Sequence, residues 1–285
     1  MTPATLDASA LRDHPLPPVI DGGKETKGRI LVIAGSREVP GAALLTATAA
    51  MRAGAGQLRI ATVESAARHL AIAMPEAMVV ALPEADDGGF ATAAVMRIAE
   101  LAGDVDAVVA GPGVKRNATC PKIVSTLLRC GAALALDVAF LEALRESDQA
   151  RARSPILLPN ANELTSLLDC DPRDVEADPL GCGRSAAERY KSVVLVKGVA
   201  SHVVTAEGQV WTYKGGAPGL GVSGSGDVLA GIVGGLISRG AEPLNALLWA
   251  VWLHGEAGAN LAKKIGPVGF LAREIADEIP ALLPR

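Results

Sequence analysis

The chain has 285 residues, 49% hydrophobic and only 3% aromatic, which is enough Ala, Val, Leu and Ile for a large aliphatic core. Its 27 basic and 31 acidic residues give a net charge of −4 with no dense basic run, which excludes electrostatic binding to nucleic acid. Cys120, Cys130, Cys170 and Cys182 form no Cys-x-x-Cys pair, against a zinc cluster or disulfide framework, and the longest apolar runs, such as 246–253, are too short to cross a bilayer. A cytoplasmic protein without a membrane partner is expected.

Residues 1–27 carry Pro3, Pro15, Pro17 and Pro18 without periodicity and read as an extended N-terminal segment ahead of a single domain at 28–285. Strands and helices then alternate. Apolar runs at 29–34, 57–62, 77–82, 106–110, 132–137, 155–158 and 193–197 read as buried strands, with helices at 41–52, 64–72, 91–101 and 121–130. Continuous apolar strands joined by helices imply a parallel sheet covered on both faces, an α/β/α sandwich of three layers. After Lys197 the pattern changes: 202–206 and 210–213, joined by Glu207-Gly208, read as an antiparallel hairpin near one edge. Ligands of such sheets sit beyond the C-terminal strand ends, where Gly35-Ser36, Gly111-Pro112-Gly113, Asp137 and Pro159-Asn160 fall and are expected to converge.

The densest glycine run is Gly215 to Gly226, leading into a helix whose apolar pairs Val228/Leu229, Ile232/Val233 and Leu236/Ile237 recur every four residues up to a stop at Gly240. The first N–H groups of a helix lack internal partners and attract anions, and bare glycine backbone lets a phosphate come close. Asp227 in that first turn would repel a phosphate unless it has another task, and taking a proton from a hydroxyl beside the transferred group is such a task. An ordinary first-turn acid is the alternative.

Together these pieces resemble the ribokinase-like superfamily and, more closely, the ADP-dependent NAD(P)H-hydrate dehydratases over roughly 24–275. The resemblance rests on Gly219 to Gly231, on Leu253-His254-Gly255-Glu256-Ala257-Gly258, on Pro75-Glu76-Ala77-Met78, and on Gly111-Pro112-Gly113 and Lys197-Gly198. The chain carries Asn160 where that family's motif has His, in the Pro-Asn-x-x-Glu form of ribokinase-type kinases, and Ala139 where it has a second Asp.

The resemblance implies a lyase that restores NAD(P)H from its hydrate, with ADP or ATP and Mg2+, through a phosphorylated intermediate. It implies Asp227 as base, with Gly224, Ser225 and Gly226 as the anion hole. Lys197, Gly198, Val199, Ala200, Ser201 and Gly226 would border the nucleotide, and Ala42, Gly113, Asn160 and Asp227 the substrate. Glu163 reads either as a first-turn helix acid or as a contact to Mg2+ through water, Asn160 as a cap of the helix 161–168 that also offers its amide, and Lys197 as a nucleotide contact or a strand-end lysine reaching solvent. His254 reads as a core histidine. A homo-oligomer, a tetramer by resemblance, and pairing with a separate epimerase are further implications. An ATP-dependent kinase of a small alcohol and a nucleotide-binding protein without catalysis are the competing expectations.

Overall fold

The computed structural model describes residues 2–18, 23, 27–147, 150 and 152–284, so the N-terminal segment read at 1–27 lies partly outside the described residues, at 1, 19–22 and 24–26. The strands are β1 Ala4–Thr5, β2 Arg29–Ile33, β3 Gln57–Val63, β4 Ala77–Leu82, β5 Ala107–Ala110, β6 Ala133–Leu136, β7 Ile156–Leu157, β8 Val193–Val196, β9 Ser201–Val204 and β10 Val210–Tyr213. The helices are α1 Gly41–Arg52, α2 Glu64–Ala73, α3 Ala94–Ala102, α4 Cys120–Arg129, α5 Ala139–Glu146, α6 Ala161–Leu168, α7 Pro172–Ala177, α8 Pro179–Tyr190, α9 Ser225–Ser238, α10 Pro243–Lys264 and α11 Ala272–Leu282.

One sheet runs in the order β1-β10-β9-β8-β7-β6-β5-β2-β3-β4. From β4 to β8 every pairing is parallel, whereas β9 is antiparallel to both β8 and β10, as the hairpin pattern requires. The chain steps outward from β2 to β4 and then returns to the other side of β2 as β5. The order therefore reverses between β2 and β5, which opens a crevice at their C-terminal ends. There the Gly35 N–H donates to the Pro112 carbonyl at 2.8 Å and the Gly111 N–H to Ile33 at 3.1 Å, so the two glycine-bearing turns meet as expected.

Helix α9 lies at the centre. Gly224 enters it with φ +89, a left-handed conformation that suits glycine, and nearly every residue from Val228 to Ser238 is buried. Gly234 faces Ile30 and Val109 of the sheet, while Gly231 and Gly235 face α1 so closely that a Cβ would overlap the Thr46 and Ala50 carbonyls. The matching face of α1 is alanine-rich, with Ala43, Ala47, Ala49 and Ala50 fully buried. Small residues on both helices thus pin α9, and Asp227 with it, between sheet and α1. Gly235→Leu is expected to destabilise the fold by about 1–3 kcal/mol through overpacking, read as a lower urea midpoint at unchanged slope.

The structure departs from the sequence reading at several elements. The helix expected at 91–101 starts at Ala94, because Glu84 and Phe90 pair across a turn and the Ala91 N–H still donates to Pro83. Helices α7 and α8 begin at Asp-Pro steps, where Asp171 and Asp178 accept from the N–H groups of Arg173 and Gly181, start signals the apolar pattern did not expose. The N-terminal segment also does more than extend. Its strand β1 pairs parallel with β10, Leu6 and Leu11 are buried, and the Trp249 indole donates to the His14 carbonyl at 2.7 Å. It thereby covers the edge of β10. Among the described residues no helix is long and apolar enough to cross a membrane.

Candidate active site

At the mouth of α9 the Ser225 N–H donates to Val222 and the Val228 N–H to Gly224, which leaves the N–H groups of Gly226 and Asp227 without a backbone acceptor among the described residues. Of the Gly224-to-Gly226 donors expected from sequence, the Ser225 N–H is engaged in the turn, whereas the Gly224 N–H, like those of Gly226 and Asp227, has no backbone acceptor among the described residues. Ser225 serves the turn instead: its Oγ lies 2.9 Å from His254 Nε2, and that nitrogen is 3.1 Å from the Ser225 carbonyl. Burial pushes His254 down to about 4, so it is neutral; half-buried and lining the cleft, it acts as a latch under the turn rather than as a fully buried core residue.

Asp227 is anchored from α1, where the Thr46 hydroxyl donates to its carbonyl at 3.1 Å. Burial pushes its carboxyl up to about 6, Lys197 pulls against that, and Glu163 adds to it. A carboxylate poised there is ionised at neutral pH and basic enough to accept a proton.

Lys197 is mostly buried among acids rather than extended into solvent. Its ammonium is 2.8 Å from Asp137 Oδ1 and 3.6 Å from Glu163 Oε2, with 18% of its side chain exposed. Burial pulls Lys197 down, but the two carboxylates more than restore it, so the ammonium stays charged. Burial likewise raises Asp137 and Glu163, against the pull of Lys197. These residues come from the ends of β6 and β8 and from the start of α6, the strand ends that the parallel topology brings to one side of the sheet.

Asn160 and Glu163 form a reciprocal capping box at the start of α6: the Glu163 N–H donates to Asn160 Oδ1 at 3.0 Å, and the Asn160 N–H to Glu163 Oε2 at 2.8 Å. The Asn160 amide nitrogen stays available to the cleft that residue lines. Asn160→Ala is expected to lower stability by about 1 kcal/mol, measured by thermal melting.

A cleft of about 800 Å3 opens between the β8–β9 turn, the end of β10 and the glycine-rich turn, a size suited to a nucleotide. Lys197, Gly198, Val199, Ser201 and Gly226 line it, and Ala200 does not. Ala42 and Gly113 meet on the α1 side of α9: a Cβ on Gly113 would stand 2.5 Å from that of Ala42, so glycine keeps room there. Gly224 packs on the same side, beside Leu45. Most of the residues expected to border the nucleotide thus line the cleft together with Asn160, whereas Ala42 and Gly113 meet beside α1.

Among the described residues no group of three or more His, Cys, Asp or Glu side chains is arranged to hold a metal ion. Glu163 Oε2 accepts from the Asn160 N–H and Asp137 Oδ1 from Lys197, so these acids are occupied with the capping box and the lysine. A Mg2+ ion fits here as a companion of nucleotide phosphates. The residue that sequence reading passed over is Asp137, noted there only as a strand end; an acid closing an apolar strand at the crevice was its available signal.

A sequence profile of NAD(P)H-hydrate dehydratases matches residues 30–281. The ADP-dependent (S)-NAD(P)H-hydrate dehydratase of Xanthomonas campestris is 42% identical over 99% of this chain and 96% of its own length. A bifunctional NAD(P)H-hydrate repair enzyme of Moorella thermoacetica is 32% identical over 92% of the chain, which spans about half of that relative. The crystal structure of the Bacillus subtilis ADP/ATP-dependent NAD(P)H-hydrate dehydratase, co-crystallised with ATP and Mg2+, superimposes with a TM-score of 0.85 at 25% identity, covering 99% of this chain and 98% of that one.

Proposed function

The chain belongs to the NAD(P)H-hydrate dehydratase family, of ribokinase-like fold, and on that premise we infer that it is an ADP-dependent hydro-lyase that returns NAD(P)H hydrate to NAD(P)H. The observation that carries this reading is Asp227, a carboxylate raised to about 6 in the same turn as the open N–H groups of Gly226 and itself. Bound nucleotide supplies the phosphoryl group that converts the ring hydroxyl into a leaving group. Asp227 takes the hydroxyl proton, and the N–H groups of Gly226 and Asp227, with Lys197 beside them, face the charge that develops on the transferred oxygens. Phosphate then leaves with the ring oxygen, the neighbouring ring carbon gives up a proton and the double bond is restored, so the hydrate loses the elements of water while the nucleotide ends one phosphate shorter.

Ala42 and Gly113 shape the substrate side. Lys197, Gly198, Val199 and Ser201 border the nucleotide, and Glu163 supports Lys197 rather than a metal. The kinase expectation loses its main motive, because the capping box explains the pairing of Asn160 with Glu163 in structural terms. The reading without catalysis is disfavoured by the intact Asp227 turn.

We place the activity in one domain at 28–285 with the N-terminal segment as its arm, in the cytoplasm, and in a homo-oligomer, a tetramer by resemblance. Pairing with a separate epimerase is part of the same reading, supported by the double-length bifunctional relatives. The test is recovery of reduced-nicotinamide absorbance from NADH hydrate with ADP and Mg2+. Stable phosphorylation of a small alcohol without such recovery would return the kinase reading.

A further inference from the structure

Asp137 follows β6 with 1% of its side chain exposed; Oδ1 accepts from Lys197 at 2.8 Å, and Oδ2 has no hydrogen-bond partner among the described residues. Two backbone features hold it there. Val138, directly after it, has φ 47 and ψ −120, a strained conformation for a β-branched residue. Gly111 has φ +127 and leaves room for the Asp137 carbonyl, which any Cβ at that position would overlap. Stability does not account for the arrangement, since a buried ion pair is commonly matched by apolar residues of the same volume. Charge balance does not account for it either: Lys197 faces two acids, and Glu163 alone would neutralise it.

What Asp137 does contribute is aim. The Lys197 ammonium lies 3.7 Å from the point where a Cβ of Gly226 would stand, beside the open end of α9. Glu163, on α6, is the second acid within reach of it, at 3.6 Å.

We propose that Asp137 is a positioning residue for phosphoryl transfer, holding the Lys197 ammonium over the Gly226–Asp227 turn and away from Glu163. The proposal rests on the dehydratase reading. Its signature is activity lost without stability lost. In Asp137→Ala the Lys197–Glu163 pair remains balanced, so the thermal midpoint stays within a few degrees of the native one while the ammonium shifts toward α6.

The experiment uses the full chain with NADH hydrate, ADP and Mg2+. Native protein must first show turnover; if it does not, the dehydratase reading fails, whatever the variants do. Asp137→Ala is then expected to lower kcat at least tenfold with KM for ADP within about threefold, because the contact it directs matters most in the transition state. The double variant Asp137→Ala/Lys197→Met is expected to have the kcat of Lys197→Met alone, since both changes remove one interaction. If Asp137→Ala does not fold, Asp137→Asn, equal in volume, is read by the same criteria. A kcat within twofold of native, or losses that simply multiply in the double variant, would overturn the proposal.

Discussion

Asp227→Asn is expected to lower kcat by about 10²–10⁴-fold while leaving nucleotide binding intact, because the amide keeps the shape of the turn and its N–H donors but accepts no proton. The same change is expected to stabilise the protein. The carboxyl titrates near 6 in the fold against an ordinary 3.8. A raised carboxyl binds its proton more tightly in the folded state, so its contribution is present below the unfolded value and is lost as pH rises through about 6. Above that pH the ionised carboxylate costs on the order of 1–3 kcal/mol, which the amide removes. Thermal midpoints of the two proteins are therefore expected to coincide near pH 4 and to separate by pH 7, the variant melting higher. In the native enzyme kcat/KM is expected to fall about tenfold per unit on the acid side of about 6, and the variant loses that limb. Full turnover by the variant, or equal melting at neutral pH, would remove Asp227 from its role.

Lys197→Met carries the largest expected cost in stability, about 3–5 kcal/mol at neutral pH, because it leaves Asp137 and Glu163 buried without their cation. Both carboxyls are already raised by burial and rise further without the ammonium. Their protonated forms are what the variant fold accepts, so its deficit is expected to be smallest in acid and to grow as pH rises through the carboxyl values. Lys197 also holds Asp227 down, so any residual activity is expected to shift its acid limb to higher pH. Urea unfolding at three pH values separates this from a packing defect, which would be the same at each. The prediction is distinct from that for Asp137, whose loss leaves a balanced pair and a stable fold.

Asn160 shows how a motif changes meaning once it is folded. In the sequence, Asn with Glu three residues later admits a kinase-like site, a helix cap or a route to Mg2+. In the structure both side chains are engaged in closing the first turn of α6, and Glu163 then faces Lys197. The cap was legible because capping is local, whereas the partner of Glu163 lies beyond α7 and α8 in the chain.

The same distinction runs through the whole molecule. Local chemistry wrote the α9 periodicity, the stop at Gly240, the parallel β2 to β8 region and the antiparallel β9–β10 turn, because period, glycine and apolar runs act over a few residues. Family membership followed from motifs of the same short range. That the strand ends at Gly35, Gly111, Asp137 and Asn160 would converge was legible in the parallel pattern; topology decided their contacts, the reversal between β2 and β5 joining Gly35 to Pro112 and Gly111 to Ile33, and the order of β6, β7 and β8 setting Lys197 against Asp137. The titration of Asp227 and His254 depended on tertiary burial, since desolvation is set by what packs around a group and not by its neighbours in sequence. Asp137 belongs to the same class, an ordinary strand-end acid until the fold placed Lys197 2.8 Å away and left its second oxygen without a partner.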